Sequence, residues 1–197
     1  MKKSQSGVKV LVIGIVLLCL VLGYYYYLSN KDAGVKEEAE VTITAVQEAL
    51  MRNLDNNYPP SPREVLKYYG ELAQCLHNEE YSEEEFLQLA EQIQRLYDDE
   101  LVANQTKEQY IQGLTWDVNN MKEKEVVISS YSLSSSTDVD YFEADGYSWA
   151  KLYLTFTLRQ GTGLEISEEV FLLREDTEGH WKIYGFKLAE DVTSDGE

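Results

Sequence analysis

A run of nineteen uncharged residues near the N-terminus constrains the fold of this chain more than any other feature. Residues 10–28 contain no acidic or basic side chain, and most of them are aliphatic. As a helix, at ~1.5 Å per residue, the run would be about 28 Å long, close to the ~30 Å hydrocarbon core of a bilayer. We therefore predict a transmembrane helix that contacts the lipid bilayer through residues 8–28.

The charges on either side of this run predict its orientation. Lys2, Lys3 and Lys9 precede it, and the first acidic residue is Asp32. Basic residues stay on the cytoplasmic side of a membrane, and tyrosines such as those at positions 24–27 favour the interface. We expect a single-pass plasma-membrane protein with a cytoplasmic N-terminus and an extracellular C-terminal domain.

Two other interpretations of the run agree less well with the residues around it. A cleaved signal peptide has a shorter apolar segment and a small-residue cleavage site, and residues 24–31 offer no such site. A lipoprotein would place a small residue before Cys19, where this chain has Leu18. The sequence favours an uncleaved signal anchor.

The charge beyond the anchor is strongly acidic. The whole chain has 17 basic and 35 acidic residues, and three of the basic residues precede position 10. Such a field repels nucleic acid and favours solubility or a cationic partner. We expect no nucleic-acid partner.

Residues 41–124 have the pattern of amphipathic helices. Sequences typical of a helix start occur at residues 61–64, 82–85 and 106–109, each with a hydroxyl residue followed three positions later by Glu or Gln. Apolar residues follow each start at helical spacing. A further short helix is favoured within residues 41–54, which gives three or four helices.

After Lys124 the apolar period changes to the alternation of β-strands. Short connections make neighbouring strands antiparallel, and helices followed by such a meander indicate an α+β domain. We predict an N-terminal transmembrane helix followed by three or four helices packed on a curved four-stranded antiparallel sheet. The strands are expected at residues 126–134, 147–159, 164–174 and 181–186. The domains are expected at residues 1–28 (cytoplasmic tip and anchor), 29–40 (stalk), 41–190 (extracytoplasmic domain) and 191–197 (acidic tail).

Residues 176–186 resemble the last hairpin of many bacterial members of the nuclear transport factor two-like superfamily. That resemblance implies a cone of helices wrapped by a curved sheet. The segment 98–106 is too short and polar for the strand pair that the superfamily has between its second and third helices, so a deep pocket stays an open question. Residues 57–65, 97–101 and 130–142 make the chain similar to a family of anchored proteins from clostridial gut bacteria, which implies a location and a fold but no activity.

The chain offers few groups for catalysis. His77 and His180 are its two histidines, and no cysteine–histidine pair has metal-site spacing. The acidic segment 138–146 lacks the order of an EF-hand, so we expect it to be a solvated loop between strands. Motifs for a nucleophile or a phosphate-binding loop are missing. We predict no catalytic residue, no metal and no cofactor.

Aromatic residues are the remaining candidates for a binding site. The residues proposed to line a cone are Tyr69, Trp149, Tyr153, Trp181 and Tyr184. A concave sheet lined by such rings could hold an apolar ligand, and the alternative is that they fill the core.

The sequence thus predicts a non-catalytic binding or scaffolding module at the outer face of the membrane. Its partner would be an extracytoplasmic protein or a small apolar ligand, and no oligomeric state is indicated. One alternative is an enzyme of the isomerase or dehydratase kind that uses an acid such as Asp140 or Glu143. Another is a sensor or an accessory factor for envelope assembly.

Overall fold

A computed structural model describes residues 21–22, 24–26 and 43–189 of this chain. The chain divides into two compact units, residues 1–42 and 43–197. The five described positions of the first unit are helical, and the second unit contains all of the elements described below.

Most of the predicted anchor, the stalk at residues 29–40 and the tail at residues 191–197 lie outside the described residues. Within the described part, no helix is both long enough and apolar enough to cross a membrane.

The second unit begins with helices that start where the sequence predicts. Ser82 and Thr106 form reciprocal capping boxes with Glu85 and Gln109, which satisfy backbone N–H groups in the first turn. Ser61 caps its helix in one direction only, through the N–H of Glu64 at 3.3 Å. The described part of the second unit has five α-helices: α1 (Ala45–Leu50), α2 (Pro62–Asn78), α3 (Glu83–Leu96), α4 (Asp99–Ala103) and α5 (Lys107–Glu123).

Helix α4 was not expected, because the sequence of residues 98–106 indicates only a short polar segment. The Asp98 carboxylate accepts a hydrogen bond from the Glu100 N–H at 2.9 Å, and this N-cap starts a new helical turn. The prediction of three or four helices was therefore too low by this short helix.

The strands form one antiparallel sheet in the order β1-β3-β4-β5, with β2 also paired to β3. Strand β1 pairs with residues 154–160 of β3, and β2 pairs with residues 147–151, so both lie along the same edge of β3. The strands are β1 (Val126–Leu133), β2 (Asp140–Ala144), β3 (Tyr147–Gln160), β4 (Gly163–Glu175) and β5 (Trp181–Leu188).

The sheet has five strands in the described part, so the prediction of four was wrong. The additional strand is β2, in the segment expected to be a solvated loop. Asp145 and Gly146 have φ values of 54° and 81°, as a two-residue hairpin turn of type I′ requires. This turn folds residues 140–144 back onto β3, and the acidic side chains stay exposed on the outer strand.

The core lies between the helices and one face of the sheet, which we call the inner face. Alternate residues of β3 point into it, and they pack with Phe171 and Leu173 of β4 and Ile183 of β5. Helix α2 contributes the largest helical share, including Leu66 and Leu72. Burying such side chains contributes ~25 cal/mol per Å² of apolar area removed from water.

Candidate functional site

A cleft of about 450 Å³ opens between the inner face of the sheet and the helices. Its walls come from α2, α4 and α5, from strands β1, β3, β4 and β5, and from Tyr97 and Gln105 in the connections between helices. Pockets for small molecules typically measure about 300–1,000 Å³ and are mostly apolar with a few polar groups. The apolar lining comprises Ala73, Leu101, Leu114, Met121, Ile128, Phe156, Leu158 and Phe186.

One carboxylate lies in this apolar lining. Glu169 is on β4, two residues before Phe171 and four before Leu173, so the alternation of the strand turns it to the inner face. Its cross-strand partner on β3 is the fully buried Leu154. Ser167 occupies the preceding inward position, opposite Phe156.

The environment of Glu169 favours its neutral form. Burial raises the pKa of the Glu169 carboxyl to about 7. Glu169 is partly exposed, and in the described part of the chain its carboxylate has no hydrogen bond and no ion pair. A carboxyl in such surroundings retains its proton up to neutral pH and exchanges it near pH 7.

Three aromatic rings lie next to Glu169. Tyr69, Tyr97 and Phe186 have ring centroids 6.3 to 6.5 Å from one another. Burial is the main cause that raises the pKa of Tyr69 well above its ordinary value and that of Tyr97 to about 12. The Glu169 charge acts in the same direction on both, and a hydrogen bond with Tyr69 partly lowers the pKa of Tyr97. This electrostatic coupling indicates that the carboxylate lies close to both phenol groups.

A second polar group occupies another part of the cleft. Nδ1 of His77, in the last turn of α2, is buried and has no hydrogen-bond partner among the described residues. Burial lowers the pKa of His77, although Asp117 on α5 acts in the opposite direction. The ring is therefore mainly neutral at pH 7.

The five aromatic residues that the sequence proposed as cone lining lie in different parts of the domain. Tyr69 lines the cleft. Trp149 and Tyr184 do not line the cleft; they contact each other, with ring centroids 5.0 Å apart. Tyr153 alternates with buried Leu152 and Leu154 and so points to the outer face.

The fifth residue, Trp181, packs at the margin of the core against Tyr141, at 5.8 Å between ring centroids. Its carbonyl accepts a hydrogen bond from the Tyr58 hydroxyl at 3.0 Å. A ligand-binding role for any of the five stays a prediction.

Trp149 and Tyr184 belong to a cluster around Arg174 whose charges are already paired. The Arg174 guanidinium binds both carboxylate oxygens of Asp98, at 3.0 and 2.7 Å, and Glu100 at 2.8 Å. It also lies 4.9 Å from the Tyr184 ring. Asp98 is 4 % exposed, so this ion pair ties the start of α4 to the sheet.

The acids proposed for an enzymatic alternative lie elsewhere. Asp140 and Glu143 are exposed on β2 and do not line the cleft. Among the residues that the structure describes, no group of three or more histidine, cysteine, aspartate or glutamate side chains is placed to hold a metal ion.

Sequence reasoning missed Glu169, His77 and Asp117 as neighbours in one cleft. For Glu169 the signal was present, because the order Glu169-Val170-Phe171-Leu172-Leu173 puts the carboxylate on the same face as two core residues. For His77 and Asp117 no local pattern indicates that α2 and α5 line the same cleft.

Comparisons with known proteins give a family without an assigned activity. No curated protein matches the chain. The model of a family described as a domain of unknown function, DUF6715, matches residues 1–186. The chain therefore belongs to the DUF6715 family.

Proposed function

We propose that this protein is a binding module that takes a small, mostly apolar ligand into the cleft. The proposal rests on Glu169, a carboxylate without a partner on the inner face of the sheet. Burying an unpaired carboxylate among apolar residues is unfavourable. An unpaired carboxylate in a cleft is a candidate functional group, because a ligand that supplies the missing partner offsets the unfavourable burial.

The shape of the cleft supports a small molecule rather than a protein partner. Its polar side chains are His77, Gln105, Asp117, Asn120, Ser167 and Glu169, and the rest of its lining is aliphatic and aromatic apart from Gly113. That arrangement is typical of sites that enclose a drug-sized ligand and orient it by one or two polar contacts.

Gly113 on α5 provides a direct test. It lines the cleft, and a Cβ atom added there would meet no other atom within 4 Å. We expect Gly113→Phe to fill the cleft without disturbing the helix, and Gly113→Ala to leave it open.

The full-length protein in nanodiscs would be screened by ligand-observed NMR against small aromatic and aliphatic compounds. Compounds that bind the wild type and Gly113→Ala but not Gly113→Phe would support the proposal. Binding that persists unchanged in Gly113→Phe would place the ligands elsewhere and contradict it.

We also propose that the module is anchored at the plasma membrane and faces the outside of the cell. The support is the uncharged run at residues 10–28, the lysines before it and the acidic composition after it. Protease added to intact cells should remove a C-terminal epitope and leave an N-terminal one. Protection of the C-terminal epitope would refute this location.

For the fold, we infer that the domain belongs to the nuclear transport factor two-like superfamily and the chain to an anchored family of clostridial bacteria. Helices that precede an antiparallel sheet and cover a cleft on its inner face support the first inference. Superposition of an experimental structure on members of that superfamily would test it.

An enzyme of the isomerase kind is a second candidate, favoured by the pKa of Glu169. A carboxyl with a pKa of about 7 can act as a general acid or base at neutral pH. Such an enzyme would incorporate solvent deuterium next to the carbonyl of a bound ketone, and Glu169→Gln would stop the exchange. Equal exchange in both proteins would exclude this role for Glu169.

A further inference from the structure

The charges that line the cleft are all of one sign. The ionisable groups that line the cleft with Glu169 are Tyr69 and His77 from α2, Tyr97 after α3, and Tyr110 and Asp117 from α5. Among the described residues, the lining contains no lysine and no arginine, and His77 is mainly neutral at pH 7. The exposed Asp117 and the ionised form of Glu169 therefore give the cleft a negative potential, in a chain whose net charge of −18 already attracts cations.

The aromatic groups next to Glu169 favour the same kind of ligand. A cation within about 6 Å of an aromatic ring is attracted by its negative face, and the attraction is strongest where water is excluded. Tyr69, Tyr97 and Phe186 present three rings within 6.5 Å of one another, beside the carboxylate. A carboxylate and several rings together are a typical receptor for an ammonium group.

The composition of the cleft argues against a metal ion as that cation. Calcium takes six to eight oxygen ligands, and magnesium requires near-octahedral coordination. In the described residues no cluster of three metal-binding side chains is found. An organic cation needs one counter-charge and apolar walls, which this cleft has.

We propose that the cleft binds a protonated amine carried on a small aromatic or aliphatic body, with its ammonium group against Glu169 and its apolar part against α5 and β3. This inference rests on the proposed binding function and names the class of ligand. Met121 of α5 and Leu158 of β3 would contact the apolar part.

Binding of an ammonium group requires Glu169 in its ionised form. Because the pKa of the free carboxyl is about 7, affinity should increase from pH 5.5 to pH 8 by tenfold or more. Protonation of His77 at low pH would add a like charge and weaken binding in the same direction.

Two probes that differ in charge test the inference. Isothermal titration of the full-length protein in phosphatidylcholine nanodiscs, with empty nanodiscs as the blank, would compare 2-phenylethylammonium with 2-phenylethanol at pH 8. We expect the ammonium to bind at least tenfold more tightly. Glu169→Gln should remove that preference and leave the alcohol affinity within twofold.

The matched control is Glu168→Gln, on the same strand but exposed and absent from the cleft lining. It should retain the preference for the ammonium. A preference that is lost equally in both variants would reflect overall charge and would overturn the inference.

Two further results separate this inference from the proposed function. Equal affinity for the two probes, with both blocked by Gly113→Phe, would overturn the ammonium inference and leave the binding function standing. Failure of both probes to bind would also overturn the ammonium inference. The proposed binding function would be contradicted too if no other compound bound to the wild type and lost its binding in Gly113→Phe.

Discussion

A carboxylate among apolar side chains without a counter-charge lowers the stability of a fold. Glu169 is in this position, and its effect depends on pH. Its pKa is about 7 in the folded protein against an ordinary value of 4.5. The folded state therefore holds more protons than the unfolded state between these values, and stability decreases as pH rises through that window.

Glu169→Gln should abolish this pH dependence. At pH 4.5 the variant and the wild type should be about equally stable, since both side chains are neutral in the folded state. At pH 8 the variant should be more stable by about 2 kcal/mol, less than the full pKa shift implies because the carboxylate keeps part of its hydration. Urea unfolding at the two pH values would measure this, and a variant that is less stable at pH 8 would contradict it.

Asp98 illustrates the opposite case, a buried carboxylate with its partners in place. The side chains of Asp98 and Arg174 are 5 % and 13 % exposed. Asp98→Ala should lower the free energy of unfolding by about 3 kcal/mol, because it leaves a buried guanidinium with one partner and removes the N-cap of α4.

Glu100→Gln is the control for Asp98, because Glu100 contacts the same guanidinium from a side chain that is 60 % exposed. Chemical denaturation should show a much smaller loss for this variant. Equal losses in the two variants would mean that burial of the pair is not what stabilises the α4 junction.

At the scale of elements, the contact between α2 and β1 depends on a glycine. A Cβ atom at Gly70 would lie 2.8 Å from Cδ2 of Tyr131, closer than atoms can approach. The helix therefore packs against the Tyr131 ring at a position that leaves no room for a side chain.

Gly70→Ala should destabilise the protein by about 1–3 kcal/mol, although alanine is the better helix former. Its matched control is Gly113→Ala on α5, which meets open space and should be neutral or stabilising by up to about 1 kcal/mol. Thermal unfolding of both variants would check this, and a stabilised Gly70→Ala would show that Tyr131 is free to move aside.

Local sequence signals predicted most of the helices and strands, but they led us to miss strand β2. Capping residues predicted the starts of α2, α3 and α5, and alternation predicted β1, β3, β4 and β5. Strand β2 was missed because its acidic composition outweighed the Asp145-Gly146 turn signal, although charge is compatible with an exposed outer strand.

At the scale of the whole molecule, the prediction of an α+β domain with helices packed on an antiparallel sheet is confirmed. The cleft could not be predicted in the same way, because it depends on how α2, α4 and α5 pack above the sheet. Alternation along β4 could have identified Glu169 as an inward carboxylate. Only the tertiary structure brings it together with Tyr69, Tyr97 and Phe186.

The pKa of Glu169, measured by ¹³C NMR of its side-chain carboxyl in the full-length protein, tests the central claim most directly. The account predicts a value of about 7 for the free protein. It also predicts a clear decrease when 2-phenylethylammonium is added, because a bound cation stabilises the ionised form. A carboxyl that titrates near 4.5 and does not respond to the ammonium would contradict the account.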